Sequence, residues 1–155
     1  MAYQKLQRTR AIQVIPTDGV AIPSPSDEVA AGTNDVVLAN HLEDTTANFL
    51  GTVTAGATVY NNTTKAAATV EAISNTALRL SANIFPVLAQ NYTVYNTSNS
   101  EGPVLFCGQG GDLAIITVGG DKVTLTNIAD ASFIPLMVKT VQATATTCDD
   151  IIALW

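Results

Sequence analysis

The chain is short of charged residues, of basic residues in particular, and of long apolar runs. Asp, Glu, Lys and Arg make up 13% of its 155 residues, against about 25% in ordinary globular proteins. Seven basic residues stand against thirteen acidic ones, which gives a formal net charge of −6. Binding to nucleic acid or to anionic membranes needs clustered Lys and Arg, and a membrane-spanning helix needs about 18 apolar residues. The sequence therefore predicts no nucleic-acid partner and no membrane partner.

Residues that carry catalysis or bind metals are also scarce. The chain has one histidine, His41, with Glu43 and Asp44 close by, whereas a metal site needs several ligands at suitable spacing. The paired carboxylates are neighbours in sequence, and neighbours on a strand point to opposite faces. These pairs are Asp27-Glu28, Glu43-Asp44 and Asp149-Asp150. We therefore expect no catalytic residues, no metal site, no cofactor and no enzymatic activity.

Cysteine is represented twice, by Cys107 and Cys148. The N-terminus lacks the apolar core of a signal peptide, so we expect no export by the classical route. Cysteine is often buried, and a protein assembled in a cytosol keeps its thiols reduced. The pattern favours two small buried thiols over a disulfide.

What the chain does have is a C-terminal third, residues 102–155, in which short apolar runs alternate with turns. Gly-Gly-Asp occurs at residues 110–112 and again at 119–121; Gly accepts positive φ, and Asp binds its own backbone. No helical period lasts longer than one turn, so the pattern predicts a compact antiparallel sheet that ends with the C-terminal segment. The predicted strands are residues 113–118, 122–127, 133–141 and 151–155.

This third of the chain resembles a known family. The features are the second Gly-Gly-Asp turn, the Val-Thr-Leu-Thr-Asn strand, the run from Phe133 to Thr147 and the ending Asp-Ile-Ile-Ala-Leu-Trp. Together they resemble the C-terminal signature of the head-spike base proteins of gene transfer agents and tailed bacteriophages. The resemblance implies a small β-rich virion protein without enzymatic activity. Compared with that family, the stretch between residues 25 and 100 is additional, which implies an inserted module.

The additional stretch also has the pattern of antiparallel β-structure. Leu78 and Leu80 are predicted to face inward with Arg79 outward, and Ala68, Val70 and Ala72 are predicted to share a face. Turn residues separate the runs at short intervals, as in small barrels and sandwiches. The succession of Val-Tyr-Asn, Ala-Thr-Val, Leu-Arg-Leu-Ser and Tyr-Thr-Val-Tyr is similar to a β-module of marine tailed-phage structural proteins.

We therefore predict an all-β protein: a small antiparallel sandwich or barrel with a second, inserted β-barrel-like module. Residues 1–10 would form an N-terminal arm. Residues 11–26 and 98–155 would form one discontinuous domain, and residues 27–97 would be the insert, entered through the Pro-Ser-Pro-Ser linker at 23–26. The interface candidates are Lys5, Arg8 and Arg10 of the basic arm, Lys139, and the terminal Trp155, which suits either a core position or an anchor in an inter-subunit pocket.

The function implied by the resemblance is structural. We expect a symmetric homo-oligomer, a trimer or a pentamer, that assembles in the cytoplasm of a bacterial host and resides in the virion. Its partners would be the major capsid protein or another virion protein, and a spike or fibre protein. Its place would be the head exterior, as a spike or fibre base or as a capsid decoration. Two alternatives stay open: a tail, neck or baseplate component, and a glycan-binding adhesion module that would use exposed aromatic rings. Tyr60, Tyr92 and Tyr95 are available for this, although Tyr92 is predicted to point inward, opposite Tyr95.

Overall fold

The computed structural model describes residues 9–97 and 101–155, and this part of the chain is all-β with antiparallel sheets. It contains thirteen strands and, between the first two, a 3-10 turn at Pro25–Asp27. The strands are β1 Ala11–Gln13, β2 Glu28–Thr33, β3 His41–Glu43, β4 Thr58–Asn61, β5 Ala66–Ile73, β6 Ala77–Leu80, β7 Asn91–Tyr95, β8 Val104–Gln109, β9 Gly111–Thr117, β10 Lys122–Ile128, β11 Ser132–Ile134, β12 Val138–Val141 and β13 Asp149–Leu154.

Two of the three sheets form a small sandwich. One has four strands in the order β1-β13-β8-β11, and the other has three in the order β10-β9-β12. Alternate side chains of each strand point into the space between the sheets. The core residues include Leu105, Cys107, Leu113, Ile115, Ile134, Val138, Val141, Ile151 and Ala153.

The C-terminal strand lies inside the four-stranded sheet. β13 pairs with β1 on one side and with β8 on the other, so that Ile152 is level with both Gln13 and Phe106. This arrangement confirms that the C-terminal segment is a strand. It also shows why residues 11–13 belong with the C-terminal third, because β1 needs β13 as its partner.

The third sheet has six strands in the order β2-β7-β4-β5-β6-β3 and curls into a half-barrel. Val36, just after β2, forms a bridge with Glu43 of β3, which brings the two edges of the sheet together. The inside is filled by a separate core, which includes Leu42, Phe49, Val59, Val70, Leu78, Leu80, Phe85, Tyr92 and Val94. We call residues 27–97 the insert.

The insert leaves and returns to the sandwich at adjacent points. The Asn96 N–H donates to the Asp27 carbonyl oxygen at 2.9 Å, next to the pairing of Glu28 with Tyr95. The predicted linker is not extended throughout, because Ser24 caps the 3-10 turn and is itself buried. A third apolar group, here called the junction cluster, joins the two parts of the chain. It contains Val20, Tyr60, Ala67 and Tyr95, with Ile12 and Ile15 packed against them.

The two Gly-Gly-Asp segments have different roles, although the sequence predicts a turn at each. Residues 119–121 do form a hairpin turn, since β9 and β10 pair directly on either side of it. Residues 110–112 do not reverse the chain within one sheet. They carry it from β8 in the four-stranded sheet to β9 in the three-stranded sheet, and only Gly110 lies between these strands.

The prediction of a single strand at residues 133–141 is wrong. It is two strands in different sheets, with β11 paired to β8 and β12 paired to β9. Pro135 lies between them, and proline lacks the N–H that a continuous ladder would need. The chain therefore crosses from one sheet to the other at this point.

The face that Ala68, Val70 and Ala72 were predicted to share in the insert is also interrupted. Ala68 and Val70 are buried, but Ala72 is exposed. The register between β5 and β6 shifts between Val70 and Ala72, so that Ala72 is paired with Arg79. A bulge of this kind adds one residue and reverses the facing of those that follow. The inward Leu78 and Leu80 and the outward Arg79 agree with the prediction.

Candidate docking surfaces

The predicted interface residues do not form one group. Lys5 and Arg8 lie outside the described residues. Arg10 is exposed, and its guanidinium Nη1 donates to the Pro25 carbonyl oxygen at 3.2 Å, which ties the start of β1 to the linker. Lys139 and Trp155 lie together in a cleft of about 250 Å³ between the sandwich and the insert, and Arg10 is not part of that cleft.

Trp155 is held on several sides. Its N–H donates to the Arg10 carbonyl oxygen at 2.9 Å, and its own carbonyl oxygen accepts from the Thr9 N–H at 2.8 Å. Its ring packs against the sandwich core, half-buried. The indole Nε1 is buried and has no hydrogen-bond acceptor among the described residues. Trp155 therefore packs against the core, as one of its two predicted roles requires, and its role as an anchor in an inter-subunit pocket stays a prediction.

One apolar surface is the side of the four-stranded sheet that points away from the sandwich core, here called the outer face. The pairing places Phe133, Phe106 and Ile152 in one row across the sheet and Val104, Leu154 and Ala11 in the next. Phe133 is 66% exposed, and its ring lies 5.1 Å from that of Phe106, centroid to centroid. All six side chains are apolar. Among the described residues, nothing packs on this face as the three-stranded sheet packs on the other.

The polar groups of the outer face are at its edge. Gln13 is on β1, and Asp150 is at the start of β13, where the Gln109 amide donates to its Oδ2 at 3.2 Å. Between them is a shallow depression of about 440 Å³, lined by Ala11, Ile12, Gln13, Asp150 and Ile152. Asp150 is exposed and has no ion-pair partner in the described part of the chain. The outer face is thus apolar with one acidic end.

Sequence reasoning did not find the outer face, although a signal was present. Val104, Phe106, Ile152 and Leu154 alternate with residues that are equally apolar, so each strand is apolar on both sides. Such strands are typical of sheets covered on both faces. A sequence alone does not say which side the core takes.

A second apolar surface, here called the apolar tip, belongs to the insert. Val37, Leu38, Val87 and Leu88 are between 45% and 56% exposed. The buried Asn34 joins the two loops that carry them. Its Nδ2 donates to the carbonyl oxygens of Val36 and Val87, and its Oδ1 accepts from the Gln90 N–H at 2.8 Å.

His41, the one histidine of the sequence, is on β3. The His41 ring Nδ1 is 2.8 Å from the Ala39 carbonyl oxygen, and the ring is next to Arg79 on the neighbouring strand. Within residues 9–97 and 101–155, no three His, Cys, Asp or Glu side chains come together in a way that could hold a metal ion. His41 is therefore a surface residue of β3 in this arrangement.

A buried hydrogen bond in the insert joins Asp44 and Tyr92. The Tyr92 hydroxyl donates to Asp44 Oδ2 at 2.8 Å, and the Thr46 N–H and hydroxyl donate to Oδ1. Burial on its own would raise the pKa of Asp44, but the hydrogen bonds from Thr46 and Tyr92 outweigh it and leave the pKa below its ordinary value. Burial and the adjoining carboxylate raise the pKa of Tyr92.

The two cysteines are buried and free, as predicted. Both lie in the sandwich core; burial and the neighbouring Cys148 raise the pKa of Cys107 to about 12, and burial raises the pKa of Cys148 as well. Because the thiolate is the reactive form, both groups are poor nucleophiles at neutral pH.

The three tyrosines considered for glycan binding are also buried. Tyr92 packs edge-on against Phe49 and Phe85, and Tyr60 packs against Tyr95 in the junction cluster. Each is less than 8% exposed. These rings are therefore not free to stack on a sugar.

Comparisons of the chain with protein-family models, curated proteins and solved structures found no match. Among the described residues, no helix has the length and apolar character needed to span a membrane.

Proposed function

We propose that this protein is a non-enzymatic structural protein of a tailed-phage virion that acts as a symmetric homo-oligomer. Its place is the head exterior, as the base of a spike or fibre or as a capsid decoration. The virion assignment rests on the resemblance of residues 102–155 to the head-spike base proteins and on the phage-like pattern of the insert. The assembly assignment rests on the surfaces described above.

The observation that carries self-assembly is the outer face. When one face of an antiparallel sheet is solvated, each strand usually alternates apolar residues, which face the core, with polar residues, which face water. Here Phe106, Phe133 and Ile152 are on the side away from the core. Phe133 is exposed, and its neighbours Phe106 and Ile152 are half-buried, so covering this row removes further apolar area from water and favours association.

The apolar tip supports a second contact, with a different virion protein. It is on the insert, whereas the outer face is on the sandwich, so one subunit can make both contacts at once. In a symmetric oligomer each contact is repeated, and repeated weak contacts give lasting attachment without high affinity at any single one. Capsid attachment through the tip and self-association through the sandwich together describe a decoration or base protein.

The mass of the purified protein in solution, measured by light scattering coupled to size exclusion, tests the first half of this proposal. We expect a discrete trimer or pentamer, and we expect Phe133→Asp to reduce it. Val123→Asp, on the exposed edge strand β10, is the control for an added charge elsewhere and should leave the mass unchanged.

Co-sedimentation with purified phage heads and with separated tails tests the second half. Binding to heads that is lost in Leu88→Asp supports attachment through the apolar tip. Binding to tails alone would favour a tail, neck or baseplate role. A monomer that sediments with neither would contradict the proposed function.

A further inference from the structure

We propose that residues 1–8 of one copy bind the outer face of another copy, with Lys5 and Arg8 at the acidic end marked by Asp150. This inference rests on the proposed self-assembly and names the segment that carries it. It assigns the outer face as a docking site for an extended peptide of this same chain.

The size of the outer face suits a peptide better than a second sheet. Each of the two apolar rows spans three strands spaced by about 4.8 Å, so the two rows together have an area on the order of 200 Å². A stable protein–protein interface buries roughly 800 Å² on each partner. Two outer faces placed together therefore fall well short of a stable dimer. Eight extended residues are at most about 28 Å long, enough to cover a face of this size.

The composition of residues 1–8 matches the chemistry of the outer face. The segment Met-Ala-Tyr-Gln-Lys-Leu-Gln-Arg has three large apolar side chains, Met1, Tyr3 and Leu6, and two of the seven basic residues. The outer face presents six apolar side chains and ends at Asp150. The rest of the molecule has an excess of acidic residues, so a basic segment is attracted to it rather than repelled.

The direction of the chain favours a neighbouring copy over its own outer face. The Thr9 N–H bonds to the Trp155 carbonyl oxygen, so residue 9 is level with the end of β13. Asp150 is five residues back along that strand, roughly 16 Å away at about 3.3 Å per residue. Arg8 is one Cα step of about 3.8 Å from Thr9. The remaining distance exceeds the length of an arginine side chain, so Arg8 pairs with an Asp150 only on another molecule.

Two measurements on a truncated protein that begins at Thr9 test this assignment. The first is its mass by light scattering beside that of the full chain, with a thermal melt to verify that it is folded. The second is the fluorescence anisotropy of a labelled synthetic peptide of residues 1–8 added to it. We expect the mass to fall to that of a monomer and the peptide to bind. Phe133→Asp in the truncated protein should weaken peptide binding at least about tenfold, because it removes a large aromatic contact, whereas Val123→Asp should leave it unchanged.

A charge exchange in the full chain provides a test that does not depend on the truncation. Lys5→Glu with Arg8→Glu should dissociate the oligomer, and adding Asp150→Lys should restore it. Lys65→Gln with Lys122→Gln, which lowers the net charge at two exposed positions elsewhere, is the control and should leave the mass unchanged.

Other outcomes would overturn the inference in distinguishable ways. An unchanged oligomer after truncation, with no peptide binding, removes the role of residues 1–8 but leaves the proposed assembly intact. Peptide binding to the truncated protein while the full chain is a monomer means that the segment covers its own outer face. A monomeric full chain that sediments with no virion part, and a peptide that does not bind, remove both proposals.

Discussion

At the scale of single residues, short polar side chains hold the loops of the insert in place. The buried Asn61 donates from Nδ2 to the Ile84 carbonyl oxygen at 2.7 Å, and its Oδ1 accepts from the N–H groups of Thr63 and Thr64. Asn34 holds the two loops of the apolar tip in the same way, by donating to the carbonyl oxygens of Val36 and Val87. Asn and Thr bind backbone groups readily because their polar atoms are close to the main chain. Asn61 and Asn34 therefore have a structural role inside the molecule.

Gly110 and Gly119 provide a matched pair of substitutions. A Cβ at Gly110 would be 2.1 Å from the Ile128 carbonyl oxygen, whereas a Cβ at Gly119 would meet nothing closer than 3.5 Å. We expect Gly110→Ala to lower the free energy of unfolding by about 1–3 kcal/mol and Gly119→Ala to change it by less than about 0.5 kcal/mol. Urea denaturation measures both. Equal effects would contradict the different roles of the two Gly-Gly-Asp segments.

Asp44 should make the free energy of unfolding depend on pH in the acid range. Its folded-state pKa is below the ordinary value of 3.8, so its stabilisation is present above that value and is lost as the pH falls through the lowered folded-state pKa. Asp44→Asn should therefore reduce the free energy of unfolding by about 1.5–3 kcal/mol at pH 7, and the difference from the native chain should narrow below about pH 4. The measurement is the urea midpoint between pH 2 and pH 7, with the exposed Glu71→Gln as the control. Parallel curves for the native chain and Asp44→Asn would show that the carboxylate is not responsible.

At the scale of the element, β13 is the strand on which the sandwich depends. It supplies Ile151 and Ala153 to the core and Ile152 and Leu154 to the outer face, and it pairs with β1 and β8. Its pairing with β1 also places Thr9 at one end of the sheet. The strand thus connects the sandwich core with the outer face through one row of its side chains and with β1 by backbone pairing.

Removal of Leu154 and Trp155 tests this dependence. The truncation deletes a half-buried indole and the backbone hydrogen bonds with Thr9 and Arg10. We expect it to lower the free energy of unfolding by at least about 2 kcal/mol. Trp155→Phe is the control: it keeps an aromatic ring and the backbone hydrogen bonds, and it loses only part of the ring packing together with an N–H that lacks an acceptor, so its effect should be smaller. The measurement is chemical denaturation, and a truncated chain as stable as the native one would contradict the role given to the C-terminus.

Prediction from sequence worked where local pattern and packing agree, as in the Leu78-Arg79-Leu80 strand and the hairpin at residues 119–121. It failed where long-range pairing decides the outcome. Pro135 was visible in the sequence. The strands on either side of it join different sheets, because one pairs with β8 and the other with β9. Likewise Ala72 follows the alternation of β5 in sequence, and only its pairing with β6 reveals the bulge. Lys139 and Trp155 were predicted as interface residues, but their meeting in one cleft needed the fold.

At the scale of the whole molecule, two separate cores are joined by the junction cluster. The insert has its own set of buried residues, and its two ends meet where Asn96 bonds to Asp27. A segment whose ends are adjacent can be inserted into a host with little disturbance. We interpret residues 27–97 as a domain inserted into the sandwich.

This interpretation predicts that residues 27–97 fold when expressed alone. The isolated insert should show a dispersed NMR spectrum and cooperative thermal unfolding. It should be less stable than the insert in the full chain, because Tyr60 and Tyr95 lose their contacts with Val20 and Ile15. The same segment with Leu78→Asp, which places a charge in the core, provides the unfolded reference. A spectrum of the native segment that matches this reference would mean that the sandwich is needed to complete the insert.

By itself, the sequence determined the class of this protein: all-β, acidic, poor in charge, without a recognisable catalytic motif, and with an additional stretch in its middle. These are properties of composition and of period-two alternation, which act over a few residues. Only the tertiary structure decided that the C-terminal strand is central, that Tyr60 and Tyr95 are buried as well as Tyr92, and that the outer face, against which no described element packs, is apolar. Those outcomes depend on which strands pair and which of two apolar sides a core occupies, and pairing joins residues as far apart as Ile12 and Ala153.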